Sequence, residues 1–268
     1  MPGLFTDLLI YMENIQLERK DRLALLTLNR GRANAINTQL LLELKAAVQE
    51  LDADNEIGGL VIAGKENFFS AGVDLIDVFR YNEEQTREFW TEFLAFQAVL
   101  AGFKKPFVTA ITGHSPAGGC IIALCSDYRV MAKGDFIIGL NEVPVGIIVP
   151  DSVFELYSFW IGRAKAYRFL LEGKLLKADE ALANGLIDEL AEPSEVIAAA
   201  GAKARALMSI NPVTWQQTKL NLRRELLDSL RANNTRMLDG MIKHWWSDET
   251  RTSLQKMIDK LTKPAKVN

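Results

Sequence analysis

Apolar residues recur along this chain in two rhythms. Residues 15–29, IQLERKDRLALLTLN, alternate and then turn at Lys20-Asp21, which predicts a β-hairpin. From Asn37 the spacing widens. Leu40, Leu41, Leu44, Val48 and Leu51 fall on one helical face, with Asn37 as the N-cap. GGLVIAG (58–64) is short and almost wholly apolar, the pattern of a strand buried on both faces. A long helix is expected from about Glu83 to Gly102, then a second apolar strand, PFVTAITG (106–113), and further strands around 128–132 and 135–140.

Strands and helices alternating in this way, with glycine-rich turns after the strands, predict an α/β fold with a largely parallel sheet. After about Pro193 the texture changes to helices alone, expected at 193–209, 212–231, 234–246 and 249–262. Leu220, Leu227 and Leu230 suggest a buried stripe there. Met237, Met241, Trp245 and Trp246 mark a large apolar face suited to core or subunit packing. The expected division is therefore a core over 1–192 and a helical region over 193–268.

Composition narrows the function classes. The chain has 268 residues, long enough for a large core. Its 31 Lys and Arg against 34 Asp and Glu leave a formal charge of -3, which argues against a nucleic-acid partner held by phosphate attraction. Cys120 and Cys125 share one apolar segment, and no His or further Cys lies at zinc-ligand spacing. They read as small buried hydrophobes, and no metal site is expected. The N-terminus has no basic residue before Arg19 and carries Asp7 and Glu13, the wrong pattern for a signal or transit peptide. No apolar run is long enough to cross a bilayer, so a cytoplasmic protein without a membrane partner is expected.

Three short segments carry candidate chemistry. In FFSAGVDL (68–75), Ala71 and Gly72 let a ligand approach the backbone, while Asp74 could equally cap the next helix. In GHSPAGGCIIALC (113–125), a glycine pair opens an apolar helix. The first amides of a helix are free donors at the positive end of its dipole, suited to a negative oxygen. The same glycines would also suit a tight strand-to-helix contact. In IIGLNEVPVG (137–146), Glu142 stands in an apolar run with no basic residue nearby. Desolvation there would raise its pKa toward that of a general base; otherwise it is a surface acid on a loop crest.

Taken in order, with Asp127, Tyr128 and Arg129 between the second and third, these segments resemble the crotonase superfamily, the enoyl-CoA hydratase/isomerase proteins. The resemblance runs from RGRANAINTQLLLEL (30–44) to GLIDEL (185–190). It implies a spiral core of ββα units with a C-terminal helical trimerisation region, hence a homotrimer or a dimer of trimers. It also implies an acyl-CoA thioester substrate, with coenzyme A as part of that substrate and no separate cofactor. Carried onto this chain, the backbone N–H groups of Val73 and Gly118 would form an oxyanion hole for the thioester carbonyl. Ala33, Ala35, Ala71, Asp74 and Leu75 match positions near the CoA moiety, with Gly72 among the substrate-binding residues.

The resemblance also bears on which reaction is run. Hydratases of the superfamily have two glutamates; here the first position is Ile121, which cannot move a proton, and the second is Glu142. One base suffices for a 1,3-proton shift, so the expected activity is a Δ3,Δ2-enoyl-CoA isomerase of fatty-acid metabolism. Alternatives are a weak hydratase, a thioester hydrolase, a decarboxylase or a silent acyl-CoA binder. RNA binding through a lysine-rich helix, known in one branch, is disfavoured because 40–51 holds one lysine, Lys45, against Glu43 and Glu50. Phe154, Tyr157, Phe159 and Trp160 either wall an acyl pocket or pack a core helix. His114, Asp127 and Arg129 are read as structural.

Overall fold

A computed structural model gives the fold and describes residues 8–232 and 235–262. β1 (Leu8–Tyr11), β2 (Ile15–Lys20) and β3 (Leu23–Leu28) form an antiparallel meander. The turn between β2 and β3 falls where the sequence places it, with Asp21 at a left-handed φ of 55°. α1 (Thr38–Ala53) starts where the Asn37 side chain accepts from the Leu40 amide at 3.0 Å. It buries the five expected apolar residues. β4 (Gly59–Ala63), β5 (Asn67–Phe68), α2 (Leu75–Phe79) and α3 (Glu83–Ala101) follow. α3 opens with a capping box in which Asn82 and Gln85 each accept from the other's amide.

The strand expected at 106–113 divides in two. β6 (Phe107–Ile111) pairs with β4, and after Thr112 the chain enters a second sheet as β7 (Gly113–Pro116). The Thr112 hydroxyl donates to the Lys65 carbonyl at 2.7 Å and draws the chain toward β5. Next come α4 (Gly118–Cys125), β8 (Tyr128–Ala132), β9 (Ile137–Gly139) and a 3-10 turn at Val143–Val145. α5 (Asp151–Ile161), α6 (Arg163–Glu172), β10 (Leu175–Lys177), α7 (Ala178–Ala183) and β11 (Glu189–Ala191) complete the mixed region. The larger sheet runs β1-β2-β3-β4-β6-β8-β11 and is parallel from β3 onward; the smaller runs β10-β9-β7-β5.

The apolar runs have a direct physical consequence. Successive residues of a strand face opposite sides. Leu60 and Ile62 of β4 therefore join the main core, while Val61 and Ala63 join a second, smaller core. Ala24 and Leu26 of β3 divide from Leu23 and Leu25 in the same manner. The second face is closed by α8 (Val196–Met208), which lays Val196, Ala200 and Ala204 on it.

α9 (Pro212–Leu222), α10 (Arg224–Arg231), α11 (Thr235–Trp245) and α12 (Asp248–Thr262) finish the described chain. The single helix expected at 212–231 is broken at Arg223. Its buried guanidinium donates to the carbonyls of Ala101, Cys125 and Ser126, at the C-terminal ends of α3 and α4. Lys219 is buried too, 2.7 Å from Asp127, and it occupies the place the sequence assigned to Leu220, which is only half-buried. Leu227 and Leu230 are buried as expected, and so are Met241 and Trp245.

Candidate active site

The segment after β5 is zipped onto residues 33–36. The Ala71 amide donates to the Ala33 carbonyl (2.8 Å), the Ile36 amide to Gly72 (2.8 Å), and the Asp74 amide to Ile36 (2.9 Å). This is a short parallel bridge between Ile36 and Val73. The bonds fall on either side of Val73, so its own N–H points away from the bridge and has no partner among the described residues.

Gly118 supplies a second free amide. It is the first residue of α4, where an N–H has no partner within the helix. Ala117 before it is held at φ 50°, a sparsely populated conformation for a residue with a Cβ, and its amide is fixed on the Gly139 carbonyl at 2.8 Å. A Cβ on Gly72 would lie 2.9 Å from the Gly118 nitrogen, so the two backbone segments touch. The glycine pair divides its labour. A Cβ on Gly119 would come 2.4 Å from the Ser70 carbonyl oxygen, which makes this glycine a packing requirement, while Gly118 presents the amide.

Both segments border a cavity of about 330 Å³. Of the residues named from the sequence, Ala35, Ala71, Val73, Asp74, Leu75, Gly118 and Glu142 line it, and Ile121 does as well. Ala33 and Gly72 do not. They stand behind the wall, where their carbonyls accept the bonds that fasten it.

Two carboxylates line the cavity, in opposite states. Asp74 is engaged: one oxygen accepts from the amides of Ile76 and Asp77, and the other lies 2.6 Å from Arg30. Its capping role is thus realised. Glu142 is not engaged. Its Oε2 is out of contact with solvent and without a partner among the described residues. Burial pushes its pKa up to about 7, and only its own backbone amide pulls the other way. The thiol of Cys120, one residue before Ile121, is pushed well above its usual range by burial and by the nearby Glu142.

Several wall residues were not legible beforehand. Trp90 and Phe93 come from α3, Ile147 and Val149 from the loop after the 3-10 turn, Val153 from α5, and Met257 and Leu261 from α12. The spacing of Leu254, Met257, Ile258 and Leu261 is the one signal that could have marked α12 as walling something. Three of the four aromatics of α5 belong to the other alternative, and Phe159 to neither, being 41% exposed. Tyr157 is fully buried, Phe154 and Trp160 pack on the core, and none of the four lines the cavity. His114 accepts from the Ile137 amide between the rings of Phe68 and Phe136. Arg129 pairs with Asp188 at 2.6 Å and stacks on Trp160. Asp127 accepts from the Phe107 amide and pairs with Lys219, so the contacts of His114, Asp127 and Arg129 are all structural.

The free amides, the unpaired acid and the apolar walls converge on one cavity, and the wider comparison agrees with them. The Enoyl-CoA hydratase/isomerase family profile matches residues 18–265. The chain belongs to that family. It is 30% identical over 249 residues to the Mus musculus protein named Enoyl-CoA delta isomerase 1, mitochondrial, covering 92% of this chain and 86% of that one. It is also 30% identical over 215 residues to the Short-chain-enoyl-CoA hydratase of Clostridium acetobutylicum, covering 80% and 82%. The crystal structure of human mitochondrial delta3-delta2-enoyl-CoA isomerase aligns with a TM-score of 0.89 at 26% identity, covering 93% of this chain and 98% of that one. This enoyl-CoA hydratase/isomerase protein is therefore a crotonase-type acyl-CoA enzyme with the crotonase fold and C-terminal helices. Among its described residues no helix is long and apolar enough to cross a membrane, and no group of three or more His, Cys, Asp or Glu could hold a metal ion. The reading of the extreme N-terminus as lacking a leader falls in part on residues 1–7, outside the described residues.

Proposed function

We propose that this protein moves the double bond of a 3-enoyl-CoA to the 2-position. The observation that carries the reading is that Glu142 is the one lining carboxylate among the described residues left free to move a proton. Hydration would be served by a second free acid; Asp74 is held by Arg30, and the wall at 121 is an isoleucine.

The thioester oxygen sits between the amides of Val73 and Gly118. The Glu142 carboxylate takes a proton from C2, and the electron pair spreads through the 3,4-double bond into a dienolate. The two amides hold the resulting negative oxygen, each donor contributing on the order of 100- to 1,000-fold in rate. The protonated Glu142 then delivers its proton to C4, and the double bond ends between C2 and C3. A pKa near 7 suits a group that must both accept and return a proton. Ala35, Ala71 and Leu75 flank the CoA side of the cavity, and Trp90, Phe93 and Met257 receive the acyl chain. Coenzyme A is part of the substrate, and no separate cofactor is required.

A cytoplasmic setting is part of the proposal, to be tested by fractionation, since the mouse relative is named mitochondrial. A homotrimer or dimer of trimers is proposed on the family resemblance, and sedimentation would test it. The decisive experiment is Glu142→Gln. Isomerisation of a 3-enoyl-CoA should fall roughly 100- to 10,000-fold while acyl-CoA binding persists. Full activity in that variant, or water addition to a 2-enoyl-CoA by the parent enzyme at rates matching isomerisation, would sink the assignment.

A further inference from the structure

We infer that His244, on α11, is a positioning residue for Glu142: it clamps the turn that carries the base and joins that turn to the helix walling the acyl cavity. The inference rests on Glu142 being the base, as proposed above.

The turn closes on itself through its backbone. The amides of Val145 and Ile147 both donate to the Glu142 carbonyl, at 3.1 and 3.0 Å, and the Gly146 amide donates to Val143 at 3.0 Å. Gly146 sits at φ 83°, a conformation glycine adopts without strain. Residues 142–147 are therefore one closed unit, and displacing any part of it displaces the base.

His244 grips that unit from outside. Its Nε2 lies 3.0 Å from the Gly146 carbonyl oxygen. A carbonyl only accepts, so Nε2 must carry the proton in this arrangement. The same N–H is shared with Thr250 Oγ1, which accepts at 3.1 Å in the first turn of α12. One ring thus connects the base-bearing turn with the start of the helix that contributes Met257 and Leu261 to the cavity. The rest of this joint is tightly packed. Trp245 meets Trp90 edge-on at 5.9 Å, and Arg251 donates to the Phe79 carbonyl (2.9 Å) with its guanidinium 3.4 Å from the Phe79 ring centre. In this group it is His244 that hydrogen-bonds the backbone of the Glu142 turn. A proton shift between C2 and C4 needs the carboxylate over both carbons, and a misplacement of about 1 Å can cost on the order of 100-fold in rate.

The test uses the full chain with His244→Met, which fills the space without a donor, and His244→Gln, which restores one. Two readouts are needed: kcat and KM for a 3-enoyl-CoA, and hydrogen exchange at the amides of Val145, Gly146 and Ile147. The Met variant should lose on the order of 100-fold in kcat with KM moved less than about 3-fold. The three turn amides should exchange at least about 10-fold faster while those of α1 are unchanged. The Gln variant should recover most of both losses. Unchanged kcat per folded molecule in the Met variant, even with a lower melting temperature, would make His244 merely structural and overturn the inference. So would low activity in both variants with the turn amides still protected. Exchange is read without turnover, so a failure of the base assignment, seen as an active Glu142→Gln enzyme, stays distinguishable from a failure of the clamp.

Discussion

Asp127 and Glu142 are both carboxylates set among apolar side chains, and they differ in their company. Asp127 has Lys219 at 2.7 Å and Arg223 at 3.1 Å, and it accepts from the Phe107 amide at 2.8 Å. Among the described residues Glu142 has no cation against it, and one of its oxygens has no partner. Burial is common to the two. Where the charge is answered, burial produces a knot that fastens α9 and α10 to the ends of α3 and α4. Where it is unanswered, burial raises the proton affinity and leaves an acid ready to exchange protons near neutrality. Even in the knot, desolvation pulls the Lys219 ammonium down to about 8 against the attraction of Asp127. The knot therefore serves chiefly to place the helices, its net stabilisation being reduced by the cost of burying the ions.

The contrast can be broken at either end. Asp127→Ala leaves two buried cations without their anion and should cost about 3 to 5 kcal/mol in urea unfolding. A loss under about 1 kcal/mol would mean the knot is not what holds the tail. Glu142→Gln should move stability the other way, by up to about 3 kcal/mol at pH 8, because it removes a desolvated charge. A destabilised Gln variant would show that the carboxylate has a partner after all.

The pH dependence sharpens the same point. With its pKa raised from 4.5 to about 7, folded Glu142 holds a proton that the unfolded chain has released between those values. Stability should therefore fall as pH rises across that window and level off above it, a slope absent in the Gln variant. Over the same range kcat/KM should climb toward a plateau above pH 7 as the base ionises. A flat rate profile from pH 5 to 8 would contradict it. The smallest effect is expected at Tyr157, whose buried hydroxyl has no partner among the described residues. Tyr157→Phe should change unfolding free energy by less than about 1 kcal/mol, since no hydrogen bond is lost.

Much of the scaffold was legible because it rests on neighbours in the chain. Asn37 and its helix, the β2–β3 turn and the doubly buried β4 follow from periodicity and capping, which act over a few residues. The glycine pair was legible as a place of close approach, though the sequence left open whether for a ligand or for packing. The structure assigns packing to Gly119, under the Ser70 carbonyl, and the free amide to Gly118. The break at Arg223 was hidden because its cause lies in the carbonyls of residues about 100 positions away. Trp90, Phe93, Met257 and Leu261 were hidden for the same reason. An apolar residue on a helix reads as core whether it faces another helix or a cavity.

By itself, then, the sequence determined the β2–β3 hairpin, α1, β4 and α3, the order of the three chemical segments and the identity of the groups at positions 73, 118, 121 and 142. The tertiary structure decided that Asp74 is spent on Arg30 while Glu142 is left alone, and which side chains enclose the cavity. The physical reason is the range of the forces. Backbone preference and periodicity are local, whereas desolvation and ion pairing depend on everything that the fold brings within a few ångströms of a charge.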